Sequence, residues 1–115
     1  MSQNFALLLS IGIETAVAIL LAHRMAWGRL VGAGLAAAFG TLITHPLVWH
    51  GIDAGADLIG YWPALVGVEL AAALIESLFY RLLATDRWRY ALMLSGAANL
   101  ASLGFGLALY AFDLA

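Results

Sequence analysis

The sequence predicts an all-α, polytopic membrane protein, built as a four-transmembrane-helix antiparallel bundle with short loops. Of its 115 residues, 64% are hydrophobic and only 10% are charged, whereas a soluble domain carries about 25% charged residues. Four segments are long and apolar enough to cross a bilayer, which takes about 20 residues. Their apolar runs are continuous and lack the alternation typical of barrel strands, so we expect helices.

The four segments predict a single transmembrane domain over residues 1–115. The helices are expected at about 5–22, 30–49, 62–83 and 88–112. The first and third connections are short, which favours antiparallel packing of the helices that they join. The four tryptophans fall at predicted helix ends, as in an interfacial aromatic belt: Trp27, Trp49, Trp62 and Trp88.

Charge and composition exclude several classes of protein. The net charge is −2 and the chain has no cysteine. A basic surface for nucleic acid is therefore absent, as are disulfides and cysteine-based metal centres. The basic residues all flank two connections: Arg24, Arg29, Arg81, Arg87 and Arg89. Positive charge collects on the cytoplasmic side, so we expect both termini outside, in a plasma or inner membrane, with Asp53, Asp57 and Asp113 on that outer side.

Polar side chains at membrane depth are the candidate functional residues. They are Glu14, His45, Glu69, Glu76 and Asn99. A charged side chain at the centre of a spanning helix costs about 2.5–3.5 kcal/mol, and such residues commonly face an interior path for ions or protons. Glu69 and Glu76 are seven residues apart and so share one helix face. We interpret the five as ion-binding or proton-relay residues, with purely structural hydrogen bonding as the alternative.

The third helix cannot easily insert with two ionised glutamates. Its apolar residues contribute roughly 5 kcal/mol on the insertion scale, which two charges would cancel. We therefore expect at least Glu76 to be uncharged at neutral pH unless a cation or metal pairs with it. A metal site built from Glu14, His45, Glu69 and Glu76 is conceivable, but neither Glu-x-x-His nor His-Glu-x-x-His occurs. The sequence identifies no cofactor.

The second helix carries two further features. Gly32, Ala36 and Gly40 recur every four residues, a spacing that allows close helix packing or, alternatively, helix movement. Pro46 follows His45 and removes a helical hydrogen bond. Broken helices at depth often line cavities, although a simple kink is the alternative here. The fourth helix places Ser95, Asn99, Ser102 and Gly106 along one polar face.

The length, the four helices and Glu14 in the first helix are similar to the small multidrug-resistance exporters. That resemblance implies exchange of protons for cationic drugs. His45, Glu69 and Glu76 depart from that family's pattern, and the one-sided arginine distribution disfavours a dual-topology dimer. The resemblance is therefore one of scale.

Three functions remain open from sequence. The first is a proton-linked or cation-handling channel or transporter subunit, expected as a homo-oligomer because four helices are few for enclosing a path. The second is a non-catalytic accessory or assembly subunit of a larger membrane complex. The third is a membrane-embedded enzyme that handles a metal or lipid. The lipid bilayer is the surrounding partner in all three.

Overall fold

A computed structural model describes residues 2–112, and within that range the chain forms four α-helices. They are α1 Gln3–Arg24, α2 Leu30–Ile59, α3 Tyr61–Leu83 and α4 Trp88–Ala111. Each is long and apolar enough to cross a membrane. The predicted all-α, four-helix architecture is confirmed. Asp113 lies outside the described residues.

The helices follow chain order around the bundle. Each packs against the next, and α4 closes the ring by packing on α1. Because consecutive helices alternate in direction, the α2–α3 turn lies at the same end as both termini; we call this the terminal end. The opposite end carries all five arginines and is called the arginine end. The bundle extends 39 Å along its longest axis.

The second helix is longer than the sequence predicted. It was expected to end near residue 49, with a loop over 51–61, but α2 continues to Ile59. Two glycines explain the extension, because they let α3 approach closely. A methyl group at Gly51 would lie 2.9 Å from Val68 Cγ1, and one at Gly55 would lie 2.9 Å from Ala64 Cβ. Trp49 consequently lies inside α2, not at its end.

The α2–α3 pair is a tight helical hairpin along its whole length. Gly60 makes the turn with φ +91°, a backbone conformation that favours glycine. At the other end, a methyl group at Gly32 would collide with the Leu83 carbonyl. The Arg29 backbone N–H donates to the Ala84 carbonyl at 2.8 Å, which satisfies a free acceptor after α3. The glycine spacing of α2 is thus explained by close packing.

Small residues form the core between mid-bundle and the arginine end. Its fully or almost fully buried members are Ala18, Ala22, Ala33, Ala36, Ala37, Tyr80, Ala84, Ala91 and Leu94. Alanine side chains let the four helices approach closely there. Large apolar side chains instead face outward, including Leu8, Val31, Leu82 and Leu100. The buried polar side chains Glu14, Thr41, Thr44 and Asn99 lie on the terminal side of this core.

Candidate functional site

One cavity of about 30 Å³ brings together all five polar residues singled out from the sequence. Every helix contributes: Glu14 from α1, His45 from α2, Glu69 and Glu76 from α3, and Asn99 from α4. A site needs about 10–15 Å³ to hold one water molecule. The cavity therefore has room for one or two water molecules or for a small ion.

Glu14 and Glu76 form the centre of this site. Their side chains are only 3% and 1% exposed. The Thr41 hydroxyl lies between them, 3.1 Å from Glu14 Oε2 and 3.3 Å from Glu76 Oε1. Thr44 donates a second hydrogen bond to Glu76 Oε2 at 3.0 Å. Two carboxyl groups from opposite helices of the ring thus meet around one hydroxyl.

The Thr41 hydroxyl is within hydrogen-bond distance of both carboxyl groups. An ionised carboxylate only accepts, so one of these two contacts needs a proton on the carboxyl group. Thr41 has a single hydroxyl hydrogen and can donate to only one carboxyl at a time. At least one of the two carboxyl groups is therefore protonated. The negative charge of the other group, when it is ionised, still needs compensation.

Local sequence explains why Glu76 fits into the centre. Gly40 precedes Thr41 on α2 and faces α3. A methyl group at Gly40 would lie 3.0 Å from Glu76 Cγ and 3.4 Å from its Cβ. The missing side chain at position 40 makes room for the glutamate, and the next residue supplies its hydroxyl partner.

The polar face of α4 supports the cavity from the remaining side. Asn99 Nδ2 donates to the Ser95 carbonyl at 2.8 Å, and the Ser95 hydroxyl donates to the Ala73 carbonyl of α3 at 2.6 Å. Ser102 donates to Ser10 of α1 at 3.1 Å. These three residues of the predicted polar face contact the bundle interior. Gly106, in contrast, has no neighbour within 4 Å of an added methyl group among residues 2–112.

Two polar atoms at the site lack a hydrogen-bond partner within the described part of the chain. They are Glu14 Oε1 and His45 Nε2, and both are buried. Buried polar atoms are normally satisfied, because an unpaired one costs about 1–3 kcal/mol. Their residues line the cavity, so the cavity is suited to a water molecule, a proton or a cation that interacts with them.

His45 and Glu69 lie at the periphery of the site, toward the terminal end. Both are half-buried. The His45 ring lies 5.8 Å from the Trp49 ring, measured between centroids. Pro46 follows within α2, and the helix continues beyond it. The sequence predicts that Glu69 and Glu76 share a face of α3, and both line the cavity. The acid that Glu76 meets through Thr41 is Glu14 of α1.

A site for a transition metal finds no support in the geometry. Within residues 2–112, no group of three His, Asp or Glu side chains lies close enough to hold a metal ion. Glu14, His45, Glu69 and Glu76 line one cavity without converging on one point. What the centre offers instead is carboxyl and hydroxyl oxygen.

Four hydroxyl-bearing residues that were not among the sequence-predicted site residues also line the cavity: Ser10, Thr41, Thr44 and Ser102. A signal for two of them was present. Thr41 and Thr44 are three residues apart and therefore share a helix face. Ser10 lies four residues before Glu14, on the same face of α1.

The chain matches no protein family model, no curated protein and no solved structure. Its function is therefore argued from the geometry of the site.

Proposed function

We propose that this protein spans a membrane with its four helices and acts as a cation-handling channel or transporter subunit. We propose the proton as its first candidate ion, because carboxyl groups bind and release protons directly. One observation carries the proposal: two almost fully buried carboxyl groups, Glu14 and Glu76, meet in a hydroxyl-lined cavity inside the chain's own bundle. Intramembrane carboxyl groups that face such a cavity are typical of ion and proton pathways.

Charge supports this interpretation. Every arginine lies at the arginine end, and the sequence has no lysine. Neither arginine nor lysine is therefore placed beside Glu14 and Glu76, and among the described residues His45 is the one basic residue in the cavity lining. Two uncompensated carboxylates there would each cost about 2.5–3.5 kcal/mol on the insertion scale. A bound proton or small cation removes that cost, which makes occupancy by a cation the favourable state.

The position of the polar groups favours transport over an accessory role. An assembly subunit would present its polar face to a partner. Here Glu14, Glu76, Thr41 and Thr44 face one another inside a single chain, and each is at most 3% exposed. A partner subunit outside the bundle therefore has no access to these groups, and an ion inside the cavity is left to complete their compensation.

The surroundings of the cavity suggest one-sided access. Toward the terminal end it is lined by half-buried Ser10, His45, Glu69 and Ser102. Toward the arginine end, fully buried Tyr80 and the alanine core close the bundle. With the arginine end cytoplasmic, the ion would enter from outside through His45 and Glu69. We propose a plasma or inner membrane location with both termini outside.

Movement of the ion beyond the closed end requires a rearrangement. Four helices are few for enclosing a complete path, so we propose that the protein works as a homo-oligomer or within a larger membrane complex. The alternating exposure of one central site to two sides is the general behaviour of carriers.

The test is proton flux in sealed liposomes that contain the purified protein. Glu14→Gln and Glu76→Gln keep the size of the side chain but remove its acidic group. We expect each to reduce proton flux at least tenfold. Asp53→Asn, which removes an exposed carboxylate from α2, is the matched control and should leave the flux unchanged.

Equal flux in wild-type, Glu14→Gln and Glu76→Gln liposomes would contradict the proposal. If the same variants instead failed to assemble with other subunits in the native membrane, the accessory role would be favoured. Size-exclusion profiles of all variants show whether each remains folded and in its normal assembly.

A further inference from the structure

We propose that the centre of the cavity binds one Na⁺ ion between Glu14 and Glu76. This inference rests on the proposed function, and it names the cation that the same site takes. The observations that carry it are the identity of the ligand atoms, their spacing, the residual charge and an unpartnered carboxyl oxygen.

The atoms that meet at the centre are oxygens. Glu14 and Glu76 contribute carboxyl oxygens, and Thr41 and Thr44 contribute hydroxyl oxygens. Carboxylate and neutral oxygen ligands suit hard cations, whereas imidazole and thiolate ligands select softer transition metals. The chain has no cysteine, and His45 lies at the periphery. The chemistry of the centre therefore fits an alkali or alkaline-earth ion.

The spacing of these oxygens indicates the size of the ion. Neighbouring oxygens lie 3.0, 3.1 and 3.3 Å apart. Ca²⁺, which has nearly the same radius as Na⁺, takes oxygens at about 2.3–2.6 Å, and adjacent oxygens of an octahedron are then about 3.3–3.7 Å apart. One of the observed spacings reaches the lower limit of that range and the other two are shorter, so the oxygens need to move apart only slightly to hold Na⁺. The larger K⁺ ion would force the oxygens further apart and is disfavoured.

Charge favours a monovalent ion. The single Thr41 hydroxyl contacts both carboxyl groups, which needs a proton on one of them, so the pair carries one negative charge when the other group is ionised. One Na⁺ neutralises that charge. Mg²⁺ usually keeps several of its water molecules, for which a cavity of about 30 Å³ leaves no space.

A separate observation points to a ligand. Glu14 is 3% exposed, and its Oε1 lacks a hydrogen-bond partner among the described residues. Glu14 lines the water-sized cavity, so an oxygen of this residue that accepts no hydrogen bond is available to coordinate a cation. The Na⁺ ion would satisfy this oxygen.

The experiment is thermal unfolding of the purified protein in detergent, with NaCl, KCl or choline chloride at equal ionic strength. A ligand that binds only the folded state raises the melting temperature in a saturable way. At about five times its dissociation constant, Na⁺ should raise the melting temperature by about 4–8 °C. KCl and choline chloride should have no such effect.

Two variants make the assignment specific. Glu14→Gln removes a charged ligand, and Thr41→Val removes the bridging hydroxyl at nearly constant volume; both should abolish the Na⁺ effect. Asp53→Asn, which changes an exposed carboxylate of α2 outside the cavity lining, should retain it. If either Glu14→Gln or Thr41→Val fails to fold, the other variant still tests the site.

Identical melting curves for wild type in NaCl, KCl and choline chloride would overturn the Na⁺ assignment. Proton flux measured in Na⁺-free liposomes separates this failure from failure of the proposed function. If that flux still depends on Glu14 and Glu76, the cation-handling role stands with the proton as its ion.

Discussion

At the scale of single residues, the main feature is how few polar contacts compensate two buried acids. Thr41 serves both Glu14 and Glu76, and Thr44 serves Glu76 alone. Glu14 Oε1 remains without a partner in the described structure. A purely structural network would be expected to satisfy each of these atoms, because an unpaired buried polar group is costly. The incomplete network is consistent with a site that takes up an ion.

Tyr80 is a second buried polar residue with unmet hydrogen bonding. It is fully buried beneath the site, and its hydroxyl has no partner within residues 2–112. Replacing it with phenylalanine removes the hydroxyl but keeps the ring that closes the bundle. Because a buried unsatisfied hydroxyl costs about 1–3 kcal/mol, we expect Tyr80→Phe to stabilise the protein by about 1 kcal/mol. Chemical or thermal unfolding measures this change.

Tyr90→Phe is the matched control for this substitution. The Tyr90 hydroxyl accepts a hydrogen bond from Arg89 at 3.1 Å, and it lies at the arginine end. Its removal should not raise stability. A loss of stability in Tyr80→Phe would show that the hydroxyl has a partner in the folded protein, and the interpretation of Tyr80 as an unsatisfied group would be wrong.

At the scale of helices, α2 and α3 behave as one unit that positions the site. Gly32, Gly40, Gly51 and Gly55 all face α3. This row of glycines brings the two helices close from the arginine end to the α2–α3 turn. The Glu76 side chain occupies the space beside Gly40. The packing of α2 on α3 and the position of the Glu76 carboxyl group therefore both depend on Gly40.

Gly40→Ala should therefore disturb the site more than the fold. The added methyl group would lie 3.0 Å from Glu76 Cγ, and the glutamate must move to accommodate it. Alanine also favours the helix by about 1 kcal/mol relative to glycine, which offsets part of the packing cost. We expect proton flux in liposomes to fall several-fold while the melting temperature changes little.

Gly67→Ala provides the control on α3. A methyl group there meets no atom of the described residues within 4 Å, so the substitution adds the same helix propensity without a clash. Its flux should equal that of wild type. Unchanged flux in Gly40→Ala would instead indicate that the position of Glu76 does not depend on close approach of α2.

At the scale of the whole molecule, the sequence predicted the elements better than their arrangement. Hydropathy alone predicted four helices, because each long apolar segment needs its backbone hydrogen bonds satisfied internally. It did not predict that α2 reaches Ile59. The 50–59 segment contains His50, Asp53 and two glycines, which suggest a loop when considered alone. The glycines form part of a helix only because α3 packs against them.

For the candidate site too, the sequence predicted the residues but not their arrangement. Residue type and depth were enough to single out Glu14, His45, Glu69, Glu76 and Asn99, and the structure places all five around one cavity. The pairing of Glu76 with Glu14 was not predictable. Periodicity shows that Glu69 and Glu76 share a face of α3, but it does not specify which helix that face meets. That information comes from the order of helices around the bundle.

The measurement that tests the carboxyl pair most directly is infrared spectroscopy of the folded protein at neutral pH, compared with Glu14→Gln and Glu76→Gln. A protonated carboxyl group has a carbonyl stretching band that an ionised carboxylate lacks. If one carboxyl group of the pair is protonated inside the bundle, wild type shows that band, and either substitution removes or shifts it. Detection of ionised carboxylates alone in wild type would contradict the protonated pair.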